Sequence, residues 1–222
     1  MSTATTPPEA GTAPGGPDTR PRRRRGRPRG QDSAVVREAA LRAAIELIAQ
    51  QGYAATSMAQ VAAAAGISPS GLAHHFPSKN ALLGAVLDHR DAEDTFVRER
   101  SHEPWSAFDH MVHVARRNMG RRRLVALYMT MIGEAVAPEH PAHAWMVRHY
   151  ADVLDTLRDQ LRADQQRGTV REDAPVEAIA RSMVSLMDGL QVQWLLDESV
   201  DMAAVLAESV AAMKRTWGTE LV

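Results

Sequence analysis

Residues 57–79, Ser-Met-Ala-Gln-Val-Ala-Ala-Ala-Ala-Gly-Ile-Ser-Pro-Ser-Gly-Leu-Ala-His-His-Phe-Pro-Ser-Lys, leave few folds open. They hold two short helical runs, about 57–65 and 69–75, joined by a tight turn at Gly66. Ser57 is a good N-cap for the first run, and Gln60 three residues on completes a capping box. Ser68 caps the second, and Pro69 takes its first position, where a missing N–H costs nothing. Two helices so spaced form a helix-turn-helix, whose second helix can enter a DNA major groove. Val61, Ala62, Ala65, Leu72 and Tyr53, with His75 or Phe76, are its expected core.

The rest of the chain extends the helical reading. Val36, Ala40, Ala43, Ala44, Leu47 and Ile48 recur at helical spacing and predict a helix over about 32–51, stopped by a left-handed Gly52. Ser78 caps a helix of about 79–100, with Leu82, Leu83, Val86, Leu87 and Phe96 inward. Further helices are predicted over about 104–119, 121–137, 141–167, 175–197 and 201–216, punctuated by proline and glycine. No strand pattern is present. The expected fold is all-α, with about nine helices: an N-terminal three-helix unit over 31–78 and a larger helical domain over 79–222, preceded by an extension over 1–30.

Charge divides the chain unevenly. The net charge of the 222 residues is −1. Seven arginines crowd residues 20–29, so without them the chain carries −8. This describes a basic arm on a mildly acidic body. Residues 1–19, rich in Pro, Gly, Thr and Ala, cannot bury a core, and disorder is expected over 1–30. There is no cysteine, which excludes disulfides and thiolate metal sites. No apolar run reaches the roughly 18–20 residues that span a bilayer. The N-terminus lacks a secretory apolar segment, so a cytoplasmic protein with no membrane partner is expected.

Several elements occur together at matching spacing. They are Gly52-Tyr53-Ala54-Ala55-Thr56-Ser57-Met58-Ala59-Gln60-Val61-Ala62, then Ala65-Gly66-Ile67-Ser68, then Leu72-Ala73-His74-His75-Phe76-Pro77-Ser78-Lys79 with Leu82 and Leu83. Over about 31–90 the chain resembles the DNA-binding domain of TetR/AcrR-type transcriptional regulators. The helical remainder is similar in layout to that family's ligand-binding and dimerisation domain, including Asp188-Gly189-Leu190 followed by Gln191 and Trp194. The chain departs from the family at Ala73, where tyrosine is frequent, and at His75, where an aromatic is frequent.

The expected DNA contacts follow. Pro69, Ser70 and Ala73 lie on the N-terminal part of the recognition helix, with Gly71 allowing close backbone approach. Ala73 offers only a methyl group, for instance to thymine. Gln60, His74 and DNA shape are expected to add specificity. His75 divides evenly between packing and phosphate contact. The resemblance implies a phosphate contact for Lys79, and Ser57 at a helix N-terminus is placed to donate to another phosphate. Arg24, Arg25, Arg27 and Arg29 can reach the adjacent minor groove.

The C-terminal helices suggest a sensor. Met111, Tyr128, Met131, Trp145, His149, Met183, Met187 and Gln191 are expected to line an effector cavity, because Met and aromatic side chains make adaptable apolar walls. Glu134 and Asp188 are further candidates for orienting a ligand. Ile179, Leu186, Leu190 and Trp194 form one wide apolar face, and Val205, Leu206, Val210, Met213 and Trp217 another. Left exposed they would make an oversized patch, so they are expected to pair across a two-fold axis in a homodimer. The pairs His110/His113 and His140/His143 have no clear carboxylate partner and are read as solvated, not as metal ligands. No cofactor and no enzymatic nucleophile–base pair are expected. The function these readings imply is a homodimeric regulator, most simply a repressor, released from a pseudo-palindromic double-stranded DNA operator by a small-molecule effector. An effector-independent architectural DNA-binding protein is the alternative.

Overall fold

In the computed structural model, the described residues are Met1, Thr3, 29–93 and 103–219. Among them the chain forms nine helices: α1 (Arg29–Ala55), α2 (Met58–Ala64), α3 (Pro69–His75), α4 (Lys79–Glu93), α5 (Ser106–Asn118), α6 (Arg122–Ala135), α7 (His143–Gln166), α8 (Val176–Leu196) and α9 (Met202–Trp217). The only extended pairing among them is an isolated bridge between Val170 and Gly218. The fold is all-α, as the periodicity predicts. Arg24, Arg25, Arg27 and Phe96 lie outside the described residues, and for Arg29 only the backbone, in α1, is described.

Local chemistry accounts for the element ends. Gly52 adopts φ 80°, ψ 167° and breaks α1 three residues before its end, a backbone shape that an L side chain adopts only under strain. Gly66 turns the chain between α2 and α3 at φ 68°. Ser57 and Gln60 form a complete capping box: Gln60 N donates to Ser57 Oγ at 3.2 Å, and Ser57 N donates to Gln60 Oε1 at 2.8 Å. Ser68 Oγ accepts from Gly71 N, and Ser78 Oγ from Ala81 N, each at 3.0 Å. Each such cap is worth about 1 kcal/mol.

Two apolar cores result. The first joins α1–α4 to α6 and the start of α7 through Leu41, Ile48, Val61, Leu72, Phe76, Leu83, Leu127 and Met131. Tyr53 and Phe76 close it, while His75 is only half-buried. The second unites α5, α7, α8 and α9 through Phe108, Leu157, Leu161, Met183, Trp194, Met202 and Leu206. Ile179, Leu190, Trp194, Leu206 and Val210 belong to this intramolecular core. The expectation that they form an open face is therefore corrected: α8 and α9 spend those apolar stripes on each other, on α5 and on α7.

A carboxylate is built into the second core. Asp164 is fully buried and accepts from Trp105 N at 2.9 Å, from Gln160 Nε2 at 3.0 and 3.1 Å, and from Arg167. Trp105 has a left-handed backbone, φ 63°, and packs edge-to-face on Phe108. The carboxylate thus holds a strained entry to α5 and satisfies an N–H that burial would otherwise orphan.

Candidate nucleic-acid interface and effector cavity

Pro69, Ser70, Ala73 and His74 are exposed on α3, three and four residues apart and therefore on one face. No formal charge occurs from residue 47 to residue 78. What this head exposes is three serine-capped helix starts, small side chains and two histidines. Gln60 spends its side-chain oxygen on the capping box, so its NH2 group is what the cap leaves over. A Cβ at Gly71 would stand 3.1 Å from Ser68 Oγ, so this glycine spares the cap of α3 as well as space for a backbone approach. His74 and His75 pack edge-to-face at 5.4 Å. Lys79 is tied into the protein: its Nζ donates to Ala54 O at 3.1 Å and sits 4.2 Å over the Tyr53 ring, whose hydroxyl donates to Asn80.

The head is also held from the other side. Glu134 on α6 accepts from Tyr53 N with both oxygens, at 3.1 and 3.2 Å. A Cβ on Gly52 would collide with the same carboxylate. Glu134 therefore grips the break in α1 and stands outside the lining of the cavity between α4 and α8. His140 Nε2 lies 3.3 Å from Glu134 Oε2, with the ring edge-on to Tyr53 at 5.2 Å. His143 Nδ1 is 2.8 Å from Ala135 O. Neither histidine is simply solvated, because the α6–α7 connection folds both onto the end of α6. Among the described residues no group of three or more His, Cys, Asp or Glu is arranged to hold a metal, and no helix is long and apolar enough to cross a membrane.

A cavity of about 310 Å³ opens between α4, α5, α6, α7 and α8. Met111, Tyr128, His149, Met187 and Gln191 line it, together with Arg90, Val114, Tyr150, Asp152, Val153, Thr156, Val184 and Asp188. Met131 and Met183 do not. Both are fully buried core residues, on helix faces turned to the packing. Trp145 lies behind the wall, stacked on His149 with 5.0 Å between ring centres. Arg90, missed in the sequence, places Nη1 3.1 Å from His149 Nε2 and its guanidinium 3.8 Å over the Tyr128 ring. A guanidinium only donates, so His149 accepts. Tyr150 Oη donates to Asp188 Oδ2 at 2.6 Å. Burial pushes the Asp188 carboxyl above its ordinary range, opposed by the Tyr150 hydrogen bond and the nearby Arg90 and His149. The Tyr150 hydroxyl is likewise pushed up, chiefly by burial. Asp188 and Gln191, both candidates in the sequence, share one helical face with Val184 and Met187. Nothing local signals Arg90, which reaches the cavity only through the angle of α4.

The chain is similar to known proteins. Residues 40–86 match the profile of the bacterial regulatory proteins of the tetR family. The HTH-type transcriptional regulator UidR of Escherichia coli is 29% identical over 193 residues, covering 82% of this chain and 92% of its own length. The HTH-type transcriptional repressor Rv3405c of Mycobacterium tuberculosis is 43% identical over 66 residues, 30% of this chain and 34% of that protein. In fold, the chain resembles Salmonella enterica GusR, with a TM-score of 0.65 at 22% identity, covering 81% of this chain and 95% of that one. It also resembles SmeT in its triclosan complex, with a TM-score of 0.64 at 20% identity over 84% of this chain and 93% of that one. The helix-turn-helix of α2 and α3 and these likenesses agree: residues 40–86 form a DNA-binding domain of the tetR-family type, in a chain that resembles HTH-type transcriptional regulators over most of its length.

Proposed function

We propose that this regulator is a homodimeric repressor, released from a pseudo-palindromic operator when a small molecule enters the α4–α8 cavity. The reading rests above all on α4. Its first residue, Lys79, seats on the end of α1, and Arg90, eleven residues later, walls the cavity. One rigid helix of about 16 Å thus spans the two sites. A ligand that engages Arg90 acts on the same rod that sets the reading head, and weakens DNA binding by its differential affinity for the two head positions. Residues 31–78 serve as the DNA-binding domain, 79–222 as the effector and dimerisation domain, and 1–30 as a basic arm. The Mycobacterium tuberculosis relative is a repressor, and SmeT forms a complex with the small molecule triclosan.

For the dimer, the surface left by the core redraws the face. Between Ser182 and Leu196 the exposed residues of α8 are all uncharged: Ser182, Ser185, Gly189, Val192, Gln193 and Leu196. Leu196 is 84% exposed, and Val205 on α9 44%. With half-buried Leu186, they form the stripe on which a second copy packs into a four-helix bundle. A Cβ added at Gly189 meets nothing within 4 Å. Gly189→Trp therefore leaves the protomer folded and yields monomers in sedimentation; a persisting dimer rejects this face. Selecting bound DNA from a random pool tests the operator. Two-fold-related half-sites separated by whole turns are expected. Binding that follows only phosphate charge would make the protein architectural.

A further inference from the structure

Gln191 is only 2% exposed and lines the cavity, yet its side-chain oxygen has no hydrogen-bond partner among the described residues. A buried acceptor without a donor is costly, and a ligand donor repairs it. One turn back on the same face, Asp188 has Tyr150 on one carboxylate oxygen. Neither sign of charge enters the cavity unopposed: an incoming anion meets Asp188 and the exposed Asp152, and an incoming cation meets Arg90. The remaining wall, Met111, Val114, Val184 and Met187, is apolar. The geometry points to an uncharged amphiphile as the effector, with a hydroxyl that donates to Gln191 Oε1 and an apolar body against those four side chains. This identification rests on the cavity being the effector site.

Four probes of nearly one shape separate the possibilities when titrated calorimetrically into the full chain: 4-butylphenol, its methyl ether 4-butylanisole, 4-butylbenzoate and 4-butylbenzylamine. The phenol should bind at least about tenfold more tightly than the ether, which lacks the donor, and more tightly than either ion. In Gln191→Met the phenol should fall to the affinity of the ether, while the ether itself still binds and so reports a folded cavity. Preference for an ion, or a phenol advantage that survives in Gln191→Met, overturns the ligand class and leaves the cavity reading standing. Failure of all four to bind the native chain overturns both.

Discussion

The reading head and the cavity solve opposite problems. The head is neutral from residue 47 to 78, exposed, and assembled from caps that act within three residues of one another. The cavity is charged, largely buried, and assembled from helices that contribute Arg90, Tyr128, His149 and Gln191 from far apart in sequence. The difference teaches where each site stores its specificity. The head exposes little side-chain hydrogen-bonding power of its own, so on the proposed reading its affinity for DNA comes from outside it. The cavity holds its polar groups out of water, so one ligand hydrogen bond carries much discrimination.

The largest effect breaks the head's side of this contrast. If a neutral head needs the arginine arm, deleting residues 1–29 lowers operator affinity on the order of 10³-fold at low salt and flattens log K against log salt. An unchanged slope, followed by fluorescence anisotropy, would sink the idea. Next, Asp164→Ala strips Trp105 N–H and the Gln160 amide of their buried acceptor. Urea unfolding should show a loss of about 3 kcal/mol. Gly52→Ala forces a side chain into a left-handed position facing Glu134, and should cost about 2 kcal/mol. Ser57→Ala removes one cap and should cost about 1 kcal/mol in the same measurement. A larger loss at Ser57 than at Asp164 would invert the comparison.

The smallest effect is in pH. Asp188 is raised by burial, so its contribution is fully present below its ordinary pKa of 3.8 and is lost as pH rises through the raised folded value. Asp188→Asn should therefore flatten the decline in stability above that point, measured by urea midpoints at successive pH values. An identical pH profile would remove Asp188 from the account.

The same contrast explains what was readable in advance. Ser57, Gln60, Ser68 and Pro69 declare their roles because cap chemistry is local, and proline and glycine punctuation brings most helix ends within a residue or two. The apolar stripes of α8 and α9 were legible as stripes. Their partner was not, since Leu190 or Leu206 looks the same whether it meets its own chain or a second copy. Met131 and Met183 were misplaced for a related reason: composition says a methionine is buried, and only the fold says on which side of the wall. Glu134 and Arg90 act across 81 and 59 residues of sequence, beyond any spacing rule.

Glu134 holds the head by a main-chain N–H, not by a side chain. Such a handle is indifferent to what residue stands at position 53, so drift there leaves the attachment in place. Few substitutions can sever it: loss of the carboxylate, a side chain at Gly52, or a proline that removes the N–H. A head whose base preferences change is thereby free to evolve on a body whose docking point does not.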